Sequence, residues 1–253
     1  MISENIKHIN SEIQSVCGGG KVTVVAAVKH SSLSQINEAI SCGITDIGEN
    51  TVQDYLNYVE GLGACQTGGR RQVDDTECTF DTRLRKLDAR SPYHTMHNPS
   101  SVNFHFIGRL QTNKIKYLLQ NDFLIHSGDR LSLFGEVNKI YGGKDKTAKM
   151  LLQVNVSKEQ SKAGFYTEEL DEVLSQIINF KNIALCGMMT MLPLTADENI
   201  IYDLALQSKA VYDKIKSKLS GFDILSMGMS EDYKICVKCG SNMVRIGRAI
   251  FNE

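Results

Sequence analysis

A lysine directly follows an apolar run near the N-terminus. The run Val22–Val28 reads VTVVAAV, six apolar residues and one threonine, and Lys29 is the next residue. Such a run predicts a strand buried on both faces. Partial desolvation at the strand end, with cations such as Arg245 nearby, would favour the uncharged amine that attacks an aldehyde. Lys29 is therefore a candidate for Schiff-base chemistry, and the alternative is a solvated lysine that begins a loop.

Serines and glycines follow two apolar runs late in the chain. The first group is Ser226, Gly228 and Ser230 in SMGMS, and the second is Gly247 in RIGR. Hydroxyl groups can bind phosphate, and glycine lets the backbone approach an anion closely. Ser230 also fits the N-cap of a helix that begins near Glu231, whose first N–H groups favour an anion. We expect a phosphate site here rather than two ordinary turns.

The rest of the chain supplies elements that could hold these residues together. Apolar or β-branched runs predict eight strands, at Val22–Val28, Ile44–Ile47, Phe104–Ile107, Phe123–Ile125, Leu151–Val156, Ile183–Cys186, Ile224–Leu225 and Met243–Ile246. Segments with helical spacing lie between them, at Leu33–Ser41, Val52–Glu60, Asn113–Leu119, Leu131–Ile140, Glu168–Ile178, Asn199–Leu219 and Glu231–Cys239.

Alternation of strands and helices predicts a parallel sheet. Eight units within 253 residues predict a single α/β domain over residues 1–253, a closed (β/α)8 TIM barrel with an extra helix at residues 2–16. An open, doubly wound sheet is the alternative. The segment Gly61–Ser101 breaks the rhythm, because it is rich in glycine, serine and mixed charge. We expect a mobile insertion at about residues 61–101, between strands 2 and 3, without catalytic residues.

Composition limits the possible partners and the compartment. The net charge is −1, which gives no reason to expect nucleic acid, and no run approaches the roughly 20 apolar residues of a membrane span. Seven cysteines favour reduced thiols in the cytoplasm. Cys236 and Cys239 form a CxxC and His94 and His97 an HxxH, but they lie far apart in sequence. We therefore expect no metal, and a helix in which one of the two cysteines faces inward.

Several blocks together carry a resemblance to a known family. They are VAAVK, DIGENTVQ, HFIGRLQTNK, IHS, LLQVNVSKEQSKAGF, GMMTM, LSMGMSEDY and MVRIGRAIF, from about residue 20 to the C-terminus. The chain resembles the pyridoxal phosphate homeostasis protein family, which is similar to the barrel domain of alanine racemases. The resemblance implies a (β/α)8 barrel that binds pyridoxal 5′-phosphate (PLP) as a Schiff base on Lys29.

The resemblance also implies the other cofactor-binding residues. Ser226, Ser230, Gly247 and Arg248 match phosphate-contacting positions, Arg245 matches the position facing the pyridine nitrogen, Asn50 lies beside the ring, and Met189 and Gly228 complete the set. Three features depart from the family pattern. Val28 precedes the lysine and His30-Ser31-Ser32 follows it, where Ser and Thr-Lys-Pro are common, so a second lysine is missing. Phe104 replaces a tryptophan, and the insertion is longer.

An arginine at the pyridine nitrogen bears on activity. A guanidinium only donates hydrogen bonds, so the ring nitrogen stays unprotonated and the cofactor is a weak electron sink. Racemases of this kind use a second base from another domain, and the chain ends at Glu253, soon after the last strand. We expect a cytoplasmic, monomeric PLP carrier or regulator that is not an enzyme. The alternatives are a weak amino-acid racemase or Schiff-base lyase, or an interaction protein whose insertion docks PLP-dependent client enzymes.

Overall fold

The described part of the chain forms a closed barrel of eight parallel strands. The computed structural model describes residues 1–65, with side chains to residue 59, and residues 102–251. The strands are β1 (Thr23–Ala27), β2 (Asp46–Glu49), β3 (Asn103–Phe106), β4 (Phe123–Gly128), β5 (Ala148–Gln153), β6 (Ile183–Met189), β7 (Ile224–Ser226) and β8 (Met243–Ile246). Each strand pairs with its neighbours in chain order, and β8 closes on β1. The predicted TIM barrel is confirmed, and an open sheet is excluded.

Helices connect the strands on the outside of the barrel. They are α1 (Ile2–Val16), α2 (Leu33–Ser41), α3 (Val52–Cys65), α4 (Leu131–Gly142), α5 (Leu170–Ile177), α6 (Glu198–Lys216), α7 (Tyr233–Lys238) and α8 (Arg248–Phe251). The segment after β3 is a 3-10 helix, Thr112–Gln120, rather than the predicted α-helix. Its buried Ile115 and Leu118 are three residues apart, which suits a helix of three residues per turn. Within the described ranges, no helix is long and apolar enough to cross a membrane.

The predicted insertion lies mostly outside the described residues. The backbone of α3 remains helical through Cys65, so helix continues into the region where the insertion was expected to begin. Residues 66–101, which include His94 and His97, are not described. The mobility of the insertion, its lack of catalytic residues and the single-domain reading of residues 1–253 remain predictions.

The apolar core occupies two places. One set of side chains, Val25, Leu124, Leu151, Met189 and Met243, forms a compact cluster of its own. Most other buried side chains lie between the strands and the helices. Cys236 and Cys239 both belong to this second layer, so the expectation that only one of them faces inward is wrong.

Helix α1 braces two of the other helices. Its buried isoleucines, Ile2, Ile6, Ile9 and Ile13, follow the spacing of an amphipathic helix. The Asn5 side-chain amide donates to the Ile250 carbonyl at 2.9 Å, which ties α1 to α8. The Glu12 carboxylate accepts hydrogen bonds from the Tyr233 hydroxyl and from Lys234, which ties α1 to the start of α7.

A tight turn presents Lys29 at the end of β1. The Ser31 N–H donates to the Val28 carbonyl at 3.0 Å, and His30 has φ +67°, as a type II turn requires at its third residue. Ser32 then caps α2 with a capping box, in which its hydroxyl accepts from the Gln35 N–H at 3.3 Å and its own N–H donates to the Gln35 side chain at 2.8 Å.

Replacing this cap should destabilise the fold. We expect Ser32→Ala to lower the free energy of unfolding by about 1 kcal/mol, because the first turn of α2 loses its side-chain acceptor. Urea denaturation measures the change. Ser34→Ala, an exposed position inside α2, is the control and should not destabilise. Equal stability of Ser32→Ala and the wild type would contradict a capping role for Ser32.

Candidate functional site

A cavity of about 390 Å³ opens at the carboxyl ends of the strands. It receives side chains or backbone from the ends of β1, β2, β3 and β8 and from the loops after β6 and β7. Its lining includes Lys29, Asn50, Ile107, Met191, Leu194, Met229, Ser230, Asp232, Arg245, Gly247 and Arg248. This is the end of the barrel at which TIM-barrel proteins carry their sites. The closed barrel therefore brings Lys29 and Arg245, from opposite ends of the sequence, to one cavity.

Lys29 lines this cavity from the turn after β1. The residue is exposed, so the expected partial desolvation at the strand end is not found in this structure. The turn places Lys29 one residue beyond the last buried position, Val28, and so outside the packed part of the barrel. An exposed amine beside a cavity remains accessible to an aldehyde that enters it.

Arg245 is buried, with 5% of its surface exposed, and its guanidinium is held by fixed acceptors. One terminal nitrogen, Nη1, donates to the Ser226 carbonyl at 2.9 Å and to the Ser226 hydroxyl at 2.6 Å. The other, Nη2, donates to the Thr190 carbonyl at 3.0 Å. Burial lowers the pKa of Arg245 to about 10, partly offset by the Asp232 carboxylate, so the guanidinium stays charged at neutral pH.

The loops after β7 and β8 are bound to each other at the cavity edge. The Ser230 hydroxyl accepts a hydrogen bond from the Ala249 N–H at 3.2 Å. Helix α7 begins at Tyr233 with Asp232 at its N-cap, so the expected capping role of Ser230 is wrong. Asp232 instead accepts from the Met229 N–H at 2.6 Å. Across residues 1–65 and 102–251, the N–H groups of Ser230 and Glu231 find no protein acceptor.

The two glycines of these loops have different roles. Gly247 lines the cavity, and a Cβ there would lie 3.0 Å from the Ala27 carbonyl oxygen. Gly228 does not line the cavity. Its φ is +110°, and a Cβ would lie 3.0 Å from the Cα of Tyr233, so glycine is required there for the turn and for packing against α7. The structure does not support the expected close approach of Gly228 to an anion.

Two more of the expected cofactor contacts lie outside the cavity lining. The Ser226 side chain is fully buried, with its hydroxyl between Arg245 and His126. Met189 is also buried and packs in the small apolar cluster with Val25 and Met243. Both residues lie near the carboxyl ends of their strands, but strand position alone does not say whether a side chain reaches the cavity.

Asn50, which follows β2, and Arg248, which follows β8, both line the cavity. At the start of α3 the Thr51 hydroxyl accepts from the Asp54 N–H at 3.0 Å, so Thr51 rather than Asn50 caps that helix. Arg248 is exposed and forms an ion pair with Glu231 at 3.1 Å. An exposed ion pair contributes little to stability, so Arg248 can turn to another anion at low cost.

Sequence reasoning missed the loop after β6 as a cavity wall. Met191, Leu192, Pro193, Leu194 and Thr195 line the cavity, and Leu194 is 87% exposed. The segment MLPLTADE contains Met191, Leu192 and Leu194, but its proline and polar residues are typical of a connecting loop, and composition alone does not place it at the cavity.

Sequence reasoning also missed a hydrogen-bonded group beneath the cavity. The Ser226 hydroxyl lies 3.1 Å from Nδ1 of His126, and Nε2 of His126 lies 2.9 Å from Nδ1 of His105. Nε2 of His105 lies 2.9 Å from Asp46, and all of these residues are buried. We call Arg245, Ser226, His126, His105 and Asp46 the interior chain. His126 is thus a packed and hydrogen-bonded histidine of the barrel interior.

Glu49, next to Asn50, is a buried acid away from the cavity. Only 1% of its surface is exposed, and neither carboxyl oxygen has a hydrogen-bond partner in the described part of the chain. Burial, with a smaller contribution from the charge of Asp54, raises the pKa of Glu49 to about 7. The ordinary value of 4.5 applies to the unfolded chain.

Stability should therefore depend on pH through Glu49. Between about pH 4.5 and pH 7 the folded protein keeps a proton that the unfolded chain loses. The free energy of unfolding then decreases as pH rises through this window, by up to about 3 kcal/mol from this group. Urea unfolding at pH 5 and pH 8 should show this loss in the wild type and a smaller one in Glu49→Gln. Glu38→Gln, at an exposed site, should behave as wild type; identical losses in all three proteins would contradict the assignment.

Comparison with known proteins shows which class of barrel has this fold and this cavity. The family model described as alanine racemase, N-terminal domain, matches residues 2–253. An alanine racemase of Clostridium difficile, with TM-score 0.69 and 13% identity, shares the fold over 98% of this chain and 59% of its own. The protein is a barrel of the alanine racemase N-terminal class.

Curated relatives narrow the class. A pyridoxal phosphate homeostasis protein of Helicobacter pylori is 32% identical over 234 residues, which cover 92% of this chain and 88% of the relative. One of Aquifex aeolicus is 28% identical over 99% of this chain and 97% of its own. PipY of Synechococcus elongatus, solved with PLP bound, has TM-score 0.75 at 22% identity. The chain belongs to the pyridoxal phosphate homeostasis protein family, and the resemblance in its motifs is confirmed.

Proposed function

We propose that this protein binds PLP in the cavity, holds it as a Schiff base on Lys29, and acts in PLP homeostasis without catalysing a reaction of its own. One observation carries the proposal: an accessible amine and a buried guanidinium line the same cavity. Its volume of about 390 Å³ lies in the ordinary range for small-ligand sites. The names of the relatives, and the PLP bound to PipY, support the choice of cofactor.

Arg245 suits the ring end of the cofactor. A guanidinium has five N–H donors, and three are used by Ser226 and Thr190. The hydrogen on Nε and one on Nη2 remain to donate to a ring nitrogen that carries no proton. PLP, when bound, supplies an aldehyde for imine formation and a ring that can withdraw electrons. Arg245 keeps that ring unprotonated and so limits carbanion chemistry, which supports a holding role over an enzymatic one.

The loops after β7 and β8 suit the phosphate end. The N–H groups of Ser230 and Glu231 are not bonded to protein in the described residues, and both residues line the cavity. Gly247 keeps the opposite loop open, and Arg248 brings a positive charge. We assign the phosphate contacts to Ser230, Gly247 and Arg248, and a place beside the ring to Asn50. Ser226, Gly228 and Met189 support these residues without touching the cofactor.

We also propose a cytoplasmic setting and delivery to PLP-dependent client enzymes. The five cysteines whose side chains the structure describes are free thiols, which supports a reducing compartment. The apolar rim formed by Leu194 and Met229 offers a surface beside the cavity mouth for a client. The monomeric state remains a prediction.

Replacing the lysine should separate covalent from non-covalent binding. We expect Lys29→Ala to lose the imine absorbance and all cofactor fixed by borohydride, because the amine that displaces water from the aldehyde is gone. Binding should weaken yet remain measurable, since the phosphate is held by other residues. Peptide mapping after borohydride reduction and PLP retention after dialysis measure the two effects.

The control is Lys162→Ala, which removes another lysine that is mostly buried and paired with Glu159 at 2.9 Å. This variant should keep both the imine absorbance and the label. If Lys29→Ala still forms the imine, or the label maps to Lys162 or Lys114, the assignment of Lys29 fails.

Weak racemase or Schiff-base lyase activity is the second candidate. The shared fold with the alanine racemase of Clostridium difficile and with a D-threonine aldolase of Filomicrobium marinum, TM-score 0.68, favours it. A racemase removes the α-proton of an amino acid, so in D2O it would incorporate deuterium. We expect the PLP-loaded protein to show no steady deuterium incorporation into L-alanine by proton NMR, with an authentic alanine racemase as positive control. Sustained exchange that depends on Lys29 would favour the enzyme.

A further inference from the structure

The interior chain crosses the barrel from one wall to the other. His126 belongs to β4 and Ser226 to β7, and these strands are three positions apart in the closed order. A direct contact at 3.1 Å between their side chains must therefore pass through the barrel interior. His105 on β3 and Asp46 on β2 extend the path to the wall beyond β4. Five strands contribute to one connected set of polar side chains.

The chemistry of its two ends gives this chain a direction. Arg245 can only donate, so the Ser226 hydroxyl oxygen accepts from it and the single hydroxyl hydrogen is left for Nδ1 of His126. A neutral His126 then carries its proton on Nε2 and donates to Nδ1 of His105. His105 in turn carries its proton on Nε2 and donates to the Asp46 carboxylate.

The opposite direction has a cost in charge. If His126 donated from Nδ1 to Ser226, its Nε2 would carry no proton and would have to accept a hydrogen bond from a protonated Nδ1 of His105. Nε2 of His105 faces a carboxylate and would also need a proton, so His105 would be a cation. Ser226 would then receive two donors, from His126 and Arg245, and its own hydrogen would need another acceptor. Complete burial, with a smaller contribution from the positive charge of Arg245, holds the pKa of His126 well below its usual range, which disfavours any state with a charged His126.

The anionic end is itself well held. The Asp46 carboxylate also accepts from the Thr45 hydroxyl at 2.6 Å and from the Asn103 amide at 3.2 Å. Burial raises the pKa of Asp46, but the hydrogen bonds from His105, Thr45 and Asn103 outweigh it and lower the pKa below the ordinary value. Arg245 makes its three hydrogen bonds to Ser226 and Thr190, and no carboxylate of the described residues pairs with it directly. Among the charged groups around Arg245, the Asp232 carboxylate raises its pKa most.

We propose that the interior chain runs in one direction, from Arg245 to Asp46, and that Ser226, His126, His105 and Asp46 are positioning residues for the Arg245 guanidinium. The chain fixes which guanidinium hydrogens are used within the protein and which remain for the ligand. The first half of this proposal concerns the protein alone. The second half rests on the proposed function, since it requires a ring nitrogen for Arg245 to face.

The direction can be measured without any cofactor. Protein labelled with nitrogen-15 in histidine reports by NMR which ring nitrogen carries the proton. We expect His105 and His126 both to be neutral, with the proton on Nε2, and we assign their signals by comparison with His105→Gln and His126→Gln. A proton on Nδ1 of His126, or a cationic His105, would overturn the proposed direction.

Two serines provide a matched pair of variants. Ser226→Ala removes the link between His126 and Arg245, so the nitrogen signals of His126 should shift. Ser127→Ala is the control, because Ser127 is equally buried and its hydroxyl has no hydrogen-bond partner in the described part of the chain. Its spectrum should match that of the wild type. Unchanged His126 signals in Ser226→Ala would contradict the hydrogen bond between Ser226 and His126.

Binding of PLP tests the positioning role. Ser226→Ala removes a hydrogen bond that orients Arg245 in both the free and the bound protein, so only its positioning effect changes the affinity. The Kd for PLP should rise, by up to about tenfold. Ser127→Ala should not change it. Ser226→Cys, which keeps a weak donor and nearly the same volume, should fall between serine and alanine, and it replaces the alanine variant if that protein does not fold.

The outcomes separate the two halves of the proposal. Shifted His126 signals with unchanged PLP affinity would overturn the positioning role and leave the direction intact. Failure of the wild type to bind PLP would refute the proposed function and with it the positioning role, while the NMR result on direction would stand. The full proposal is supported only if both histidines carry their proton on Nε2, the His126 signals shift in Ser226→Ala, and that variant binds PLP more weakly.

Discussion

The buried guanidinium of Arg245 is the constraint on which the interior of this barrel depends. A charged group with 5% exposure is costly unless its donors are satisfied, and an arginine has no neutral form at physiological pH. The strand ends meet this demand with two carbonyls, of Ser226 and Thr190, and one hydroxyl. The Ser226 hydroxyl then needs an acceptor for its own hydrogen, and Nδ1 of His126 provides it. Polar residues inside the barrel therefore come as a connected set.

Closure of the barrel converts this arrangement into a site. Strands β1 and β8 are adjacent, with Val25 opposite Arg245 and Ala26 opposite Ile246, so the segments beyond them lie side by side. Lys29 and Gly247 thus reach the same cavity although more than two hundred residues separate them in the sequence. An open sheet would leave the first and last strands on different edges. The cavity, with the Lys29 amine on one side and the loops after β7 and β8 on the other, exists only because the sheet closes.

The sequence was sufficient for the barrel and for the residues that end its strands. Each of the eight strands overlaps the apolar run that predicted it, although β2 begins two residues later and β5 three residues earlier than expected. The bounds of α1 and α2 agree with the predicted helices. Lys29, Asn50, Ser230, Arg245, Gly247 and Arg248 were all expected in the site, and all of them line the cavity. Lys29, Ser230 and Gly247 follow from one rule, that residues just past a parallel strand gather at one end of the barrel, whereas the family resemblance implied Asn50, Arg245 and Arg248. That rule needs no knowledge of side-chain direction.

Direction is what the sequence could not supply. Ser226, Gly228 and Met189 are near strand ends, but whether each faces the cavity, the interior or a helix depends on register and on loop conformation. The register shifts between β4 and β5 and between β5 and β6, and no local pattern announces those shifts. His105 and Asp46 are 59 residues apart, so their contact depends on the closed topology rather than on any motif. The interior chain is visible only in three dimensions.

Helix α1 supports both of the loops that follow β7 and β8. It holds α8 through Asn5 and the start of α7 through Glu12, and these helices directly follow the loops that carry Gly247 and Ser230. A ligand that fixes both loops must stabilise the docking of α1 by the same free energy by which docked α1 strengthens ligand binding. A ligand bound in the cavity should therefore slow the hydrogen exchange of backbone amides in α1, at the N-terminal end of the chain. Glu12, which is far in sequence from most of the cavity, then contributes to the free energy of ligand binding there.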